Sequence, residues 1–422
     1  MKRLFSLTII TVFVLSLLSA CNSKESESAS GSESSSNKVT VEFWTLDNDK
    51  ALYEPIIEDF EKEHPDIDIN MSTRTIDAHK EGLKVGASSN TLPDIWFNWG
   101  GSLGSFYPEN GLTLDLTEYA EQGKWNELYL ETALELTKYE GQITGVPTSL
   151  AGLGIFYRKD IFEELGIEVP KTFEEFEAVM AKLKENNITP VSVGGKFGWH
   201  TMRFTEAVLE HYAGPELKDK LINLEESWDN PAVEQTYAKL KEWEGKGYFP
   251  AGFITADPNE AKMPFYSGDT AMVLEGPWFD TVATEDEFDL EKIGVFPFPT
   301  DQEPQRVSSF VEMLQIKGDA SKEVQDAAVE FALYASSKEV AEKYKDKVQF
   351  PVAAAGVEIP ENLPNVPTLV DALDKGAFVI TDQALPQELV VKFFEAQDNV
   401  ITGEFTSKEA AEFLQKSAED VK

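Results

Sequence analysis

The spacing of hydrophobic residues from position 38 onward switches repeatedly between the strand and helix periods. Val39–Trp44 alternates apolar and polar residues, which predicts a strand, whereas Asp49–Glu63 places its apolar residues at helical spacing. Ile67–Met71, Thr75–Ala87 and Asp94–Asn98 continue as strand, helix and strand. This order predicts a parallel, doubly wound α/β sheet.

An extended stretch, Gly145–Asp160, separates this unit from a second one. Pro147 cannot donate a ladder hydrogen bond, and the residues up to Tyr157 alternate like a strand. Lys159–Gly166 then predicts a short helix that ends at the glycine. We interpret the stretch as a hinge between domains, with a strand and loop inside one large domain as the alternative.

The second unit repeats the alternation of helices and strands. The predicted elements are Thr172–Glu185, Thr189–Val193, Phe197–Tyr212, Asp229–Glu244, Asn259–Ser267, Thr270–Leu274 and Ile293–Phe296. Val307–Ile316 is interpreted as a long strand that crosses back, and Phe350–Ala355 as a candidate third crossing. The remaining chain is predicted to be helical, with Thr406 and Glu409 as a capping box.

These elements predict two α/β, doubly wound domains joined by hinge crossings. The expected N-terminal lobe comprises residues 38–147 and 309–350, and the expected C-terminal lobe comprises residues 148–308 and 351–422.

The first 37 residues are expected to be a targeting signal and a tether and to belong to neither domain. Lys2 and Arg3 precede the apolar run Leu4–Leu18, which predicts a signal peptide at residues 1–20. Leu18–Cys21 resembles a lipobox, in which Cys21 is lipidated; an ordinary signal with a chance cysteine is the alternative. Residues 21–37 then form a lipidated cysteine and a flexible, Ser- and Glu-rich tether. We therefore expect attachment to the extracellular face of the cell membrane through lipid alone.

Charge excludes several classes of partner. The 422 residues include 75 acidic and 37 basic side chains, a formal net charge of −38. Nucleic acid and anionic membrane surfaces require a basic footprint, so neither is expected to bind. Cys21 is the only cysteine, so no internal disulfide can form.

Tryptophans follow several of the predicted strands. Ligands of open α/β sheets bind outside the carboxyl ends of the strands, and flat aromatic faces there can stack on the C–H faces of sugar rings. The candidates for this role are Trp44, Trp99, Trp199 and Trp278. For any single tryptophan, core packing is the alternative, and it is the interpretation we adopt for Trp96, Trp125, Trp228 and Trp243.

Polar residues near the same strand ends are candidates for binding sugar hydroxyls. The candidates are Asp47, Asn98, His200, Glu275 and Glu312, with Asn48 and Arg203 as further neighbours. For each one alone, a surface or capping role is the alternative. No metalloprotease, serine hydrolase or phosphate-loop motif is present, and the four histidines have no metal-ligand spacing, so no catalytic residue, metal or cofactor is expected.

The order of several loose motifs resembles that of extracellular solute-binding proteins of the sugar-binding class, the receptor lipoproteins of ABC importers such as maltose-binding protein. The matching segments are Leu18–Cys21, Val41–Trp44, Leu92–Ile95, Gly145–Pro147, Gly154–Asp160, Phe265–Met272, Glu275–Trp278 and Ser321–Ser336. One departure is Ser308-Ser309-Phe310, where relatives often carry a glycine pair.

The resemblance implies a fold like that of type II periplasmic binding proteins, hinge closure on an oligosaccharide, ABC permease subunits as partners, a monomeric state and no catalysis. Two other classes of function remain as alternatives. A secreted glycoside hydrolase would need two carboxylates at a fixed separation in the cleft. A surface adhesion protein would bind a macromolecule on an exposed patch instead of in a closing cleft.

Overall fold

The computed structural model describes residues 38–348 and 351–421. Lys38–Lys422 forms one compact unit. The expected signal peptide and tether, including Cys21, lie outside the described residues. Within the described part of the chain, no helix combines the length and apolarity needed to cross a membrane.

The described chain contains twelve strands and eighteen helices. The strands are β1 Val39–Leu46, β2 Ile67–Arg74, β3 Ile95–Trp99, β4 Lys138–Tyr139, β5 Gln142–Ile143, β6 Val146–Gly152, β7 Gly154–Arg158, β8 Thr189–Ser192, β9 Thr270–Glu275, β10 Ile293–Phe296, β11 Val307–Ile316 and β12 Ala377–Val379. The helices are α1 Lys50–Glu63, α2 Ile76–Ser89, α3 Gly101–Glu109, α4 Thr117–Gly123, α5 Trp125–Leu128, α6 Glu131–Glu135, α7 Lys159–Leu165, α8 Phe173–Glu185, α9 Trp199–Ile222, α10 Pro231–Gly245, α11 Lys262–Ser267, α12 Trp278–Glu285, α13 Lys322–Ala335, α14 Lys338–Lys343, α15 Val366–Lys375, α16 Thr381–Ala384, α17 Gln387–Thr402 and α18 Ser407–Asp420. Short 3₁₀ turns stand at Asp47–Asp49, Phe253–Thr255, Pro258–Glu260 and Leu290–Lys292.

The first sheet is six-stranded, in the order β12-β11-β3-β1-β2, with β6 paired to β11. β1 is parallel to β2 and β3, as the alternation of strands and helices predicts. Because such a sheet must be covered on its faces, α13 packs on β1, and the rings of Phe43 and Phe331 lie 5.6 Å apart. β11 runs antiparallel to β3 and β6, and every one of its residues is buried.

The second sheet is four-stranded, in the order β10-β7-β9-β8. Only β8 and β9 are parallel, whereas β7 is antiparallel to both β9 and β10. Both sheets are therefore mixed, but parallel pairs predominate in the first sheet and antiparallel pairs in the second. β7 enters directly from β6 of the first sheet, so no crossover helix fixes its direction relative to β9.

Strands β6 and β11 carry the chain between the two sheets. After β6, Leu153 alone precedes β7, and its backbone N–H donates to the carbonyl oxygen of Ser308 at 2.9 Å. Phe350, where a third crossing is predicted to begin, lies outside the described residues. The carbonyl oxygen of Pro351 accepts from the N–H of Leu150 at 3.1 Å, so the segment after the gap runs beside β6 through isolated bridges and is not a ladder strand.

The C-terminal helices complete the fold around α9. α17 and α18 pack on α10, and α16 contacts both α3 and α9. The predicted capping box of α18 is confirmed, since Thr406 Oγ1 accepts from the N–H of Glu409 at 3.2 Å and Glu409 Oε2 accepts from the N–H of Thr406 at 2.8 Å. α16 therefore packs between α3, which follows β3 of the first sheet, and α9, which follows β8 of the second.

Candidate ligand-binding cleft

A cavity lies where β1 and β3 of the first sheet end and where α9 and α12 begin. Its empty volume, including the part open to solvent, is about 680 Å³. The lining residues are Leu46, Asn48, Ile76, Lys80, Trp99, Leu103, Trp199, Met202, Arg203, Trp278, Phe310, Glu312, Ile380, Asp382 and Gln383.

Aromatic rings from four different elements meet in this cleft. Trp99 is the last residue of β3, Trp199 and Trp278 are the first residues of α9 and α12, and Phe310 lies on β11. The rings of Trp278 and Phe310 lie 5.8 Å apart. Gly276 makes the position of Trp278 possible, because a Cβ there would lie 2.2 Å from the indole ring. Of the four predicted cleft tryptophans, Trp99, Trp199 and Trp278 therefore line the cleft.

Arg203 lies between two of these indole rings. Its guanidinium carbon is 4.8 Å from the centroid of the Trp199 ring and 5.4 Å from that of Trp278. Its NH1 donates to Glu275 Oε2 at 2.7 Å, and Trp278 Nε1 donates to the same oxygen at 3.0 Å. Glu275 is not among the lining residues; it holds Arg203 and Trp278 from behind. Arg203 Nε is buried and has no hydrogen-bond partner among the described residues.

His200 supports the same group without lining the cleft. Its side chain is fully buried, and Nδ1 accepts from the backbone N–H of Gly194 at 3.3 Å. Nε2 lies 3.6 Å from Glu275 Oε1. Burial is the main cause that lowers the pKa of His200 to about 4, so the imidazole is neutral near pH 7. His200 therefore acts as packing beneath Glu275.

Two further charged side chains line the cleft, Lys80 on α2 and Asp382 on α16. Lys80 Nζ lies 4.8 Å from the centroid of the Trp99 ring. Burial lowers the pKa of Lys80 and raises the pKa of Asp382. Asp382 Oδ1 is buried without a hydrogen-bond partner in the described part of the chain. A buried polar atom in this position is available to a ligand.

Glu312 forms the polar floor of the cleft on β11. Its Oε2 accepts from Ser149 Oγ on β6 at 2.6 Å. Burial raises the pKa of Glu312 to about 7, and the nearby carboxylate of Asp49 adds to the shift. Asp49 Oδ2 accepts from Thr45 Oγ1 at 2.7 Å, and burial raises its pKa to about 6. Among residues 38–348 and 351–421, no group of acidic, histidine or cysteine side chains is arranged to hold a metal.

In addition to Glu275 and His200, three predicted site residues do not line this cleft. The structure extends β1 to Leu46, so Trp44 stands before the strand end and stacks on Arg74, whose guanidinium carbon is 3.7 Å from its ring. Asp47 is exposed at the start of a 3₁₀ turn. Asn98 is buried and donates from Nδ2 to Gln315 Oε1 at 2.8 Å. Leu46 and Asn48 occupy the positions in the cleft that the shorter predicted strand assigned to Trp44 and Asp47.

Sequence reasoning missed Lys80, Phe310 and Asp382 as site residues. Lys80 lies one helical turn after Ile76, which also lines the cleft, and this amphipathic spacing on α2 was the only available signal. Phe310 stands in the segment noted as departing from relatives. Asp382 reaches the cleft from a short helix near the C-terminus, and no local pattern indicates it.

The fold and the site together define a class of protein. Two α/β sheets are joined by crossing strands, and an aromatic and charged cleft lies between them. This arrangement is that of a protein that binds small molecules. The chain belongs to the family of bacterial extracellular solute-binding proteins, whose family model matches residues 44–342. This family is one of binding proteins, in agreement with the expectation that the chain is not an enzyme.

Two curated relatives cover most of the chain. The multiple sugar-binding protein of Streptococcus mutans serotype c (strain ATCC 700610 / UA159) is 26% identical over 366 residues, 83% of this chain and 82% of the relative. The galactooligosaccharide-binding protein of Bacillus subtilis (strain 168) is 25% identical over 426 aligned positions, 96% of this chain and 93% of the relative.

A solved chitin oligosaccharide binding protein has the same fold. It superposes with a TM-score of 0.81 over 91% of this chain and 99% of its own, at 22% identity. At that identity the likeness concerns the fold alone, and it confirms the expected fold class, an α/β architecture like that of type II periplasmic binding proteins.

Proposed function

We propose that the protein is the sugar-binding receptor of an ABC importer and that its ligand is an oligosaccharide. The observation that carries the proposal is the convergence of Trp99, Trp199 and Trp278 on one cavity that also exposes charged groups. Sugar rings have apolar C–H faces that pack on aromatic rings and hydroxyls that pair with charged groups. The names of the two curated relatives, a multiple sugar-binding protein and a galactooligosaccharide-binding protein, support this ligand class.

Within this proposal the aromatic rings provide the stacking surfaces and the charged groups bind hydroxyls. Of the residues expected to bind hydroxyls, Asn48, Arg203 and Glu312 line the cavity, and Lys80 and Asp382 join them from the structure. Hydrogen bonds to charged groups are about twice as strong as neutral ones, so these contacts fix the orientation of the sugar.

The proposal includes closure of the cleft by rotation of the two lobes defined above, 38–147 with 309–350 and 148–308 with 351–422. The hinge would consist of Pro147–Gly152, Ser308–Phe310 and the segment 350–354. Small-angle scattering with and without the bound sugar measures this motion. An unchanged radius of gyration at saturation would contradict a hinge.

The proposal also places the protein at the extracellular face of the cell membrane, as a monomer anchored by lipid on Cys21 and delivering its ligand to ABC permease subunits. Extracellular location agrees with the family. Cys21→Ala should release the protein from the membrane fraction, and its retention there would contradict the lipid anchor.

Calorimetric titration of the full chain with a panel of oligosaccharides, followed by analysis of the sugars after incubation, tests the proposal. The panel contains galacto-, malto-, xylo- and chito-oligosaccharides. We expect at least one series to bind and to be recovered intact. Release of shorter sugars would indicate a glycoside hydrolase, and absence of binding to every sugar would remove the receptor.

A further inference from the structure

The cleft continues into a second, larger space on the side of Trp199. This outer groove is lined by α2 and α3 on one wall and by Phe197 and α17 on the other. Its empty volume, including the part open to solvent, is about 1660 Å³. Lys80, Trp199 and Asp382 line both the cleft and the outer groove, so the two spaces are continuous.

The opposite end of the cleft is much more confined. The neighbouring space there shares Trp278 and Asn48 with the cleft and has an empty volume of about 390 Å³. A ligand too long for the cleft therefore has room to continue past Trp199 but little room to continue past Trp278.

Exposed apolar side chains mark the outer groove. Phe106 on α3 is 41% exposed and Val391 on α17 is 60% exposed, and the partly exposed rings of Phe197 and Phe394 line the same groove. Exposed apolar side chains that share one groove, unlike single scattered ones, are typical of a binding surface. Polar side chains of α2, among them Lys84 and Ser88, stand beside the rings. This mixture of aromatic faces and hydroxyl partners is the same as in the cleft.

The two walls of the outer groove are joined to each other beside the cleft. Gln387 Nε2 at the start of α17 donates to Ser102 Oγ of α3 at 2.8 Å and to the carbonyl oxygen of Asp382 at 2.7 Å. Gly101 permits this approach, because a Cβ there would lie 2.3 Å from the carbonyl oxygen of Gln383. A molecule in the outer groove therefore lies against the same segment that presents Asp382 to the cleft.

We propose that the outer groove binds the outer sugar units of an oligosaccharide whose inner units occupy the cleft. The inference rests on the proposed function and adds to it a direction and a length: the ligand extends past Trp199 toward Phe106 and Phe394, and it is longer than the cleft alone accommodates. Because the two spaces are continuous, we assign the outer groove to the same oligosaccharide that occupies the cleft. A protein partner is the competing occupant.

The test measures affinity as a function of chain length for the full chain and its variants. Whichever series binds in the panel is titrated from the monosaccharide to the hexasaccharide. We expect affinity to rise with length beyond the shortest sugar that binds. We expect Phe106→Ala to weaken the longest sugar by about five- to tenfold and to leave the shortest binder unchanged, since only the long chain reaches the ring.

Leu128→Ala is the matched control, because Leu128 is a 49% exposed apolar residue that does not line the outer groove. It should change neither affinity. Val391→Ser provides a second groove variant at an exposed site, where misfolding is not expected. The inference is wrong if affinity does not depend on the length of the sugar. It is also wrong if the two groove variants weaken the binding of all lengths equally, or of none. Sugar binding itself would stand in each of these cases. Absence of binding to the whole panel would overturn both the inference and the proposed function.

Discussion

Two neighbouring groups of buried charge on and around α9 are arranged in opposite ways. Behind the cleft, the carboxylate of Glu210 accepts from Arg306 Nε at 2.8 Å and from its NH2 at 3.0 Å, and Arg306 also pairs with Asp219 at 2.9 Å. Lys218 Nζ lies 3.6 Å from Glu210, and Glu206 is its second acidic neighbour. In this ionic network each charge has an opposite charge beside it.

The charged groups of the cleft other than Arg203, which pairs with Glu275, are compensated less directly. The attraction between Lys80 and Asp382 opposes the effect of burial on both pKa values. The two side chains nevertheless form no ion pair among the described residues, and Asp382 Oδ1 has no hydrogen-bond partner there. Glu312 has the hydroxyl of Ser149 as its partner, and the nearest charge that shifts its pKa is another carboxylate, that of Asp49. The protein thus keeps charges buried in the cleft at a cost that the ionic network avoids.

We interpret the difference as a separation between side chains that hold the fold and side chains that, under the proposed function, bind the ligand. A single unpaired polar atom does not make this distinction, because Trp125 and Trp228 in the core also bury an indole N–H that has no partner in the described part of the chain. The distinction comes from several unpaired groups that meet in one cavity. Changes in the ionic network should therefore lower stability, and changes in the cleft should lower affinity.

The largest expected effect is on stability. Lys218→Met leaves Glu206 and Glu210 buried with less compensation, and removing one partner of a buried ion pair costs ~3–5 kcal/mol. Urea unfolding followed by circular dichroism measures this loss. Lys220→Met, in the exposed pair with Glu216, is the control and should leave the unfolding free energy unchanged. Equal effects in the two variants would remove the contrast.

Neutral side chains should follow the same division. Trp199→Ala or Trp278→Ala should weaken sugar binding by ~2 kcal/mol, about 30-fold, because a central aromatic anchor is lost. Trp243 is fully buried and donates from Nε1 to Glu177 at 2.9 Å. Trp243→Ala should instead lower stability by ~3–5 kcal/mol with little direct change in affinity. Titration and unfolding of the three purified variants measure both quantities, and near-wild-type affinity in the two cleft variants would exclude the aromatic cleft.

Asp382→Asn should lower affinity without lowering stability. A hydrogen bond to a charged group contributes ~1.5 kcal/mol or more, so we expect a loss of about tenfold. Stability should be retained, because burial is the main influence on this carboxylate and its Oδ1 has no hydrogen-bond partner to lose among the described residues. Asp219→Asn, which removes a partner of Arg306, should do the reverse. A drop in melting temperature for Asp382→Asn without a change in affinity would place Asp382 among the structural charges.

The smallest expected effect is a dependence of stability on pH. The pKa of Glu312 rises from its ordinary value of 4.5 to about 7, so between these values the folded state binds more protons than the unfolded state. Stability should consequently fall as pH rises through this interval and level off above it. Glu312→Gln should remove part of this fall, on the order of 1 kcal/mol at pH 8. Unfolding free energies at a series of pH values measure it, and identical profiles for the two proteins would contradict a buried, titrating Glu312.

Much of the secondary structure could be predicted from the sequence, because it depends on local patterns. The capping box of Thr406 and Glu409, the parallel order of β1, β2 and β3, and the C-terminal glycine of α7 all follow from residues close to one another in the chain. The positions of Trp99, Trp199 and Trp278 at the ends of a strand and the starts of two helices follow in the same way. For this reason the general location of the cleft could be predicted from the sequence.

What only the tertiary structure decided was which side chains meet there. β1 ends two residues later than the sequence predicts, so Leu46 lines the cleft and Trp44 does not. Asp382 joined the cleft from about three hundred positions away along the chain from Lys80, through the packing of α16 between α3 and α9. Glu275 changed from a predicted ligand contact to the residue that holds Arg203 and Trp278. Local sequence determines hydrogen bonding along a helix or strand, whereas distant contacts depend on how the completed elements pack.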